Sequence, residues 1–244
     1  MTSIGSIEIT VFHNNHIEPT VATIENIKKK MGDIAGCQFS PVIAVEQGLD
    51  PIHNKIVSIN SLVLNTVPLS YQVCCMNEWI SVRLNVEKDD HNVDIDAFGK
   101  LAVKMLTQLM EDASIYSNRL ALNVNILSEA LTSEFRDTSI GKKMYQTLNF
   151  YKDAPIEEWS SRVNSRVKIQ MKKEETLNVI NDISIVNEKG TRNKRILCHL
   201  DINTAQENTA FRFSSGDLQP FSTEVLKIVE QIRNDFEGSL NESC

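Results

Sequence analysis

The sequence predicts an α+β fold: a mostly antiparallel sheet packed by a long central helix and a C-terminal helix. Three observations carry this. Apolar and polar residues alternate over Trp79 to Val86, Arg119 to Ile126 and Arg162 to Met171, the pattern of strands with one buried and one wet face. Phe98, Leu101, Ala102, Met105, Leu106, Leu109 and Met110 recur at helical spacing, as do Val225, Ile228, Val229, Ile232 and Phe236 near the end. Strands interrupted by one long helix and closed by another describe an α+β chain with mostly antiparallel pairing.

Taken in order, Ile7, Ile9 and Val11 alternate with Glu8 and Thr10 in a first strand that runs into the polar turn His13-Asn14-Asn15-His16. A short helix is expected from about Pro19 to Met31, with proline at its start and Gly32 to Gly36 as its breaker. Phe39 to Val45, Ile56 to Leu64 and Leu69 to Cys75 are strand-sized apolar runs punctuated by Asp50-Pro51 and Val67-Pro68. After the strand at 79–86, Asp94 or Asp96 is the natural N-cap of the central helix. The strand at 119–126 follows, entered through Tyr116-Ser117-Asn118. Ile140, Met144, Leu148 and Tyr151 suggest a short helix closed by Pro155. Strands resume at 162–171, 177–185 and 194–203, the last two joined by a hairpin turn from Asn187 to Asn193. Ser222 is the expected N-cap of the final helix and Gly238 its terminator. The chain reads as one α+β unit over 1–244, with two sheet-and-helix halves, about 1–126 and 157–244, as the alternative division.

Composition excludes several classes. The 244 residues carry 25 Lys+Arg against 32 Asp+Glu, a net charge of −7, with 41% hydrophobic residues, which is enough apolar content to bury a core over this length. No apolar run is long enough to span a bilayer and no signal-peptide pattern opens the chain, so a cytoplasmic protein without membrane contact is expected. The five cysteines, Cys37, Cys74, Cys75, Cys198 and Cys244, are odd in number and scattered, unlike a disulfide framework or a paired zinc motif. His13 and His16 fall one residue short of zinc-type histidine spacing and read as a polar turn.

Catalytic signatures are missing. Neither glycine-rich phosphate loop occurs, nor does the serine-hydrolase elbow, and no cofactor is expected. Cys198 and His199 adjoin in a strand, where neighbours point to opposite faces, which argues against a dyad. Asp89, Asp90, His91, Asp94 and Asp96 form the densest ionisable cluster and give the alternative reading of a metal-dependent hydrolase or nuclease. Capping and solvation at the entrance of the central helix account for the same residues without a metal. The candidate functional surface is basic: Arg162, Arg166 and Lys168 share one strand face, on which each step of two residues is about 7 Å, with Lys189, Arg192, Lys194 and Arg195 around the hairpin. These side chains suit an acidic partner, and a nucleic-acid strand is the further alternative. An exposed sheet face must be polar in any case.

Part of the chain resembles a known family. The strand Arg119-Leu120-Ala121-Leu122-Asn123-Val124-Asn125 after the long helix, the Asp-containing strand Ile196 to Ile202, and the helix end Ile228 to Glu237 are similar to those of a sporadically distributed family of uncharacterised bacterial and archaeal proteins of similar length. The resemblance covers roughly residues 79 to 240. That family's architecture is similar to the SecB-type chaperone fold, an antiparallel sheet packed by helices that often builds oligomers. The resemblance implies a non-catalytic binding protein and carries over no catalytic residues. With the missing catalytic motifs, it leads to the expectation of a non-enzymatic protein-binding or assembly subunit, chaperone-like in character, whose partner is another protein or a second copy of itself.

Overall fold

The computed structural model describes residues 2–50, 55–67, 70–86, 93–132, 134–144, 156–188, 191 and 193–241. The chain is α+β, and the strands among the described residues form one nine-stranded sheet in which every neighbouring pair is antiparallel. The strands are β1 (Thr2–Phe12), β2 (Phe39–Asp50), β3 (Lys55–Thr66), β4 (Tyr71–Cys75), β5 (Trp79–Asn85), β6 (Arg119–Ser128), β7 (Ser160–Gln170), β8 (Glu174–Asn187) and β9 (Lys194–Thr204). Across the sheet they run β2-β3-β4-β5-β1-β6-β9-β8-β7. The helices are α1 (Val21–Ala35), α2 (Ile95–Asp112), α3 (Ser139–Met144) and α4 (Leu218–Asn241). No helix among the described residues is long and apolar enough to cross a membrane.

The order has a simple construction. β1 and β6 form the central pair, and each starts a meander that travels out to an edge and returns to its own flank: β2 to β5 beside β1, β7 to β9 beside β6. Each meander ends in a long helix, α2 after β5 and α4 after β9. α2 lies against β5 and β1, α4 lies against β6 and β9, and the two helices pack on each other.

Strand alternation explains the core. Register places Leu64, Val73, Val82, Ile9, Leu122, Ile202 and Val179 in one row across seven strands, and all seven are buried. The row ends in Pro41 on β2 and Ser165 on β7, both exposed, so the core stops where the sheet does. The helices answer with Phe98, Met105, Leu106, Leu109, Val225 and Val229, which join the same buried cluster. The opposite sheet face is polar. One of its rows runs Asn85, Ser6, Asn125, His199, Asp182, Arg162. Along it Asn125 donates to Ser6 Oγ at 2.9 Å and meets His199 Nδ1 at 2.8 Å, while Arg162 faces Asp182 at 3.8 Å.

Helix ends depart from expectation in three places. α1 starts one residue after Thr20, whose side chain accepts from Thr23 N–H, and it runs through Gly32 to a left-handed Gly36 at φ 67°. Gly32 is therefore not a breaker. It lets the Cys37 carbonyl approach so closely that a Cβ would stand 3.0 Å from it. At the far end, the N-cap is Ser214 rather than Ser222. Ser214 and Asp217 form a reciprocal capping box on a 3-10 turn, Ser215–Asp217, that leads directly into α4. Pro220 sits in the first turn of α4, where no intrahelical N–H is required, and burial of Leu218 and Phe221 fixes the earlier start. Gly238 lies inside the helix, which continues to Asn241. The expected short helix after residue 130 is present as α3 with Ile140 buried, while Leu148, Tyr151 and Pro155 fall outside the described residues, as do Pro51 and Pro68.

Candidate functional site

The basic residues are dispersed in space. Arg162 and Lys168 lie six residues apart on β7, about 20 Å at strand spacing. Each described cation of the set meets a carboxylate. Arg162 faces Asp182, Arg166 bonds Glu207, Lys168 bonds Glu174 at 2.7 Å, Lys194 bonds Glu157 at 2.7 Å and Arg195 bonds Glu188 at 2.9 Å. Arg195 is largely buried and also donates to the Ser128 carbonyl at 3.3 Å, which ties the start of β9 to the end of β6. Lys189 and Arg192 lie outside the described residues. The positive charge of the five described cations is thus locally offset, which leaves them little field to steer a phosphate backbone.

In the acidic cluster, Asp89, Asp90 and His91 lie outside the described residues. Asp94 accepts from Ala97 N–H at 2.9 Å as the N-cap of α2, and Asp96 is exposed in the first turn. Both suit the positive end of the helix dipole. Among the described residues no group of three His, Cys, Asp or Glu side chains is placed to hold a metal ion. His13 and His16 diverge, one buried and the other exposed.

Burial also silences the thiols. It pushes Cys74 up to about 11, and Cys75 and Cys198 up to about 12, so these cysteines are protonated at neutral pH. Cys198 faces the core and His199 the polar side of the sheet, as strand alternation requires.

Two features were less legible. The first is a pair of long edges, since β2 and β7 each have a neighbouring strand on one side alone among the described residues. On β2, Val42, Ile43 and Val45 are 51%, 44% and 62% exposed. On β7, the exposed Val163 and Val167 alternate with Arg162, Arg166 and Lys168. The second is a polar pocket of about 420 Å³ where β1 ends and β6 begins, lined by residues that include Phe12, His13, Glu78, Asn118, Arg119 and Asn208. Its wall is braced by Arg212, which donates to the carbonyls of Asn118 at 2.7 Å and Asn208 at 2.9 Å and holds Glu175 through Nε and Nη2. Arg119 sits over the Phe12 ring, 3.6 Å from its centroid. A lone Arg at the start of a strand signals such a pocket only once pairing has brought 12, 78, 118 and 208 together.

The chain matches no known family model and no curated protein.

Proposed function

We propose that this protein is a non-catalytic binding or assembly subunit that takes an extended segment of another polypeptide on the free edge of β2. The observation that carries this reading is the exposure of Val42, Ile43 and Val45 on a strand whose outer backbone groups have no neighbouring strand among the described residues. Natural edges are commonly protected by charge or by covering elements. β7 has that protection in Arg162, Arg166 and Lys168, whereas the exposed stretch of β2 from Val42 to Val45 carries no charged side chain. An added strand gains main-chain hydrogen bonds for affinity and apolar side-chain contacts for specificity. The protonated thiols and the use of Asp94 as a cap agree with a role that needs no chemistry. The resemblance of the 119–125, 196–202 and 228–237 segments to a family with a SecB-like architecture points the same way and lends the role a chaperone-like character.

The test is site-directed photo-crosslinking in the native host with a benzophenone side chain at position 43 and, as control, at 163, paired with light scattering of the purified chain. A polypeptide or second copy crosslinked from 43 and lost with Val45→Lys supports the reading. A strict monomer that crosslinks from neither position overturns it. Crosslinking from 163 alone moves the binding edge to β7 and overturns the assignment to β2.

A further inference from the structure

We propose, on the reading of β2 as the binding edge, that its occupant is the β2 edge of a second copy of this chain, the two strands pairing antiparallel about a two-fold axis at Ile43. From Phe39 to Val45 the strand carries no charged side chain, and Val42, Ile43 and Val45 stand exposed on it. The first charge beyond this stretch, Glu46, is engaged within its own chain, accepting from Ser61 Oγ and from Asn77 N–H at 3.2 Å. β2 has a strand neighbour on one side alone among the described residues, so its outer backbone is open to a further strand.

Symmetry fixes which side chains meet. A two-fold axis normal to the sheet sets two copies of one edge side by side and antiparallel, and it keeps the helices of both copies on one face of a continuous sheet. Residues directly opposite each other in an antiparallel pair point to the same face. One residue therefore faces its own copy, and the rest pair symmetrically around it. With Ile43 on the axis, Val42 meets Ala44 of the second copy, Val45 meets Pro41 and Ser40 meets Glu46. Each exposed apolar side chain thus meets an apolar one, and no charge meets its like. An axis at Ala44 would set Val42 against Glu46, and one at Val42 would shorten the ladder, because β2 begins at Phe39. Pro41 lacks an N–H, but it stands toward the end of the apolar stretch and leaves the central pairs intact.

β7 is the counter-case. Pairing that edge with its own copy so that Val163 meets Val167 sets Arg162 opposite Lys168, and like charges directly opposite are destabilising. Of the two edges, β2 is the one that complements itself.

The test is sedimentation velocity of the full chain over a concentration series, with charge-swapped variants at the axis. The unaltered chain is expected to pass from monomer to dimer with a dissociation constant of about 10–100 μM, in keeping with a small interface. Ile43→Lys and Ile43→Glu each place like charges face to face and should each weaken the dimer by about tenfold or more. Mixed in equal amounts, the two should associate at least as tightly as the unaltered chain, since opposite charges then meet on the axis. Ile43 is 44% exposed, so neither substitution opens the core. Should either variant lose its folded circular dichroism spectrum, Val45→Lys and Pro41→Glu, which face each other across the dimer, replace the pair and should likewise weaken it singly and recover on mixing. A strict monomer up to about 1 mM, a dimer unmoved by Ile43→Lys, or a mixture no tighter than the separate variants would overturn the proposal. A monomer whose position 43 crosslinks a foreign polypeptide overturns the second copy as occupant and leaves β2 as the binding edge, whereas a monomer that crosslinks nothing there overturns both.

Discussion

Gly99 on α2 faces Ser222 and Leu226 on α4, so closely that a methyl group at Gly99 would stand 3.1 Å from Ser222 Oγ and 2.5 Å from Leu226 Cδ1. The residue expected to start the last helix is instead the one on which the central helix rests. Gly238 is the opposite case, a helical glycine with nothing within 4 Å of an added Cβ.

Gly99→Ala and Gly238→Ala should therefore change stability in opposite directions. Alanine gains about 1 kcal/mol over glycine in a helix interior. At 238 that gain stands alone and should raise stability by up to about 1 kcal/mol. At 99 it is outweighed by overpacking worth about 1–3 kcal/mol, for a net loss on the order of 1 kcal/mol. Urea unfolding of both variants measures this, and a stabilising Gly99→Ala would refute the close crossing.

Ser214→Ala should cost about 1 kcal/mol by removing one half of the capping box that begins α4. Burial, the largest influence on Asp217, pushes its carboxyl up, but hydrogen bonds from Ser214 N–H and Oγ, together with Lys172, outweigh it and hold the group below the usual range. The same substitution should therefore move the Asp217 titration upward in carbon-detected NMR. An unmoved titration would place the cap elsewhere.

His13 should impose a pH dependence in a defined window. Burial lowers it from 6.5 to about 4 in the folded protein, with the charge of His16 adding to the effect. Above about pH 6.5 the ring is neutral in both states and contributes no slope. As pH falls from there toward 4 the unfolded chain takes up the proton first, so stability is lost, by an amount on the order of 2 kcal/mol after a discount for solvent screening. His13→Gln should flatten the stability profile between pH 6.5 and 4. Asp217 acts below this window, because its folded carboxyl titrates beneath its unfolded value of 3.8 and its contribution disappears only as pH drops further. Equal slopes in the two proteins between pH 6.5 and 4 would show that the histidine is not buried in the neutral form.

Arg212→Met should cost about 2–3 kcal/mol. It strands Glu175, half-buried at 3.1 Å, and frees the Asn118 and Asn208 carbonyls that the guanidinium joins. By contrast Lys168→Met, which breaks a fully exposed pair, should leave the melting temperature essentially unchanged. Thermal melts of the two variants separate them, and similar losses would contradict the bracing role of Arg212.

Where each residue's own neighbours in sequence decide its conformation, the structure was legible in advance. β1, β5, β6 and β9 follow from alternation, and α2 from its apolar stripe capped by Asp94. The start of α4 was misplaced because Ser222 reads locally as a cap, while the burial of Leu218 and Phe221 that overrides it arises from tertiary packing. The basic strand was legible as a string of cations, but not the carboxylates beside them, since Asp182 and Glu207 arrive from elsewhere in the chain. The pocket was invisible for the same reason. Its walls are contributed by residues as far apart as Phe12 and Asn208, and no local spacing records that they meet.

The central pairing of β1 and β6 also bears on how the chain is made. β1 comes first among the strands of this sheet in chain order, yet both of its partners come late, one within Trp79–Asn85 and the other within Arg119–Ser128. Until residue 128 has emerged, Ile7, Ile9 and Val11 have no complete sheet to enter, and β6 in turn waits for β9. Such distant pairings are slow to form and leave apolar strands exposed during synthesis. A nascent chain built this way holds its first strand without either neighbour for most of the time that the first half of the sheet takes to emerge.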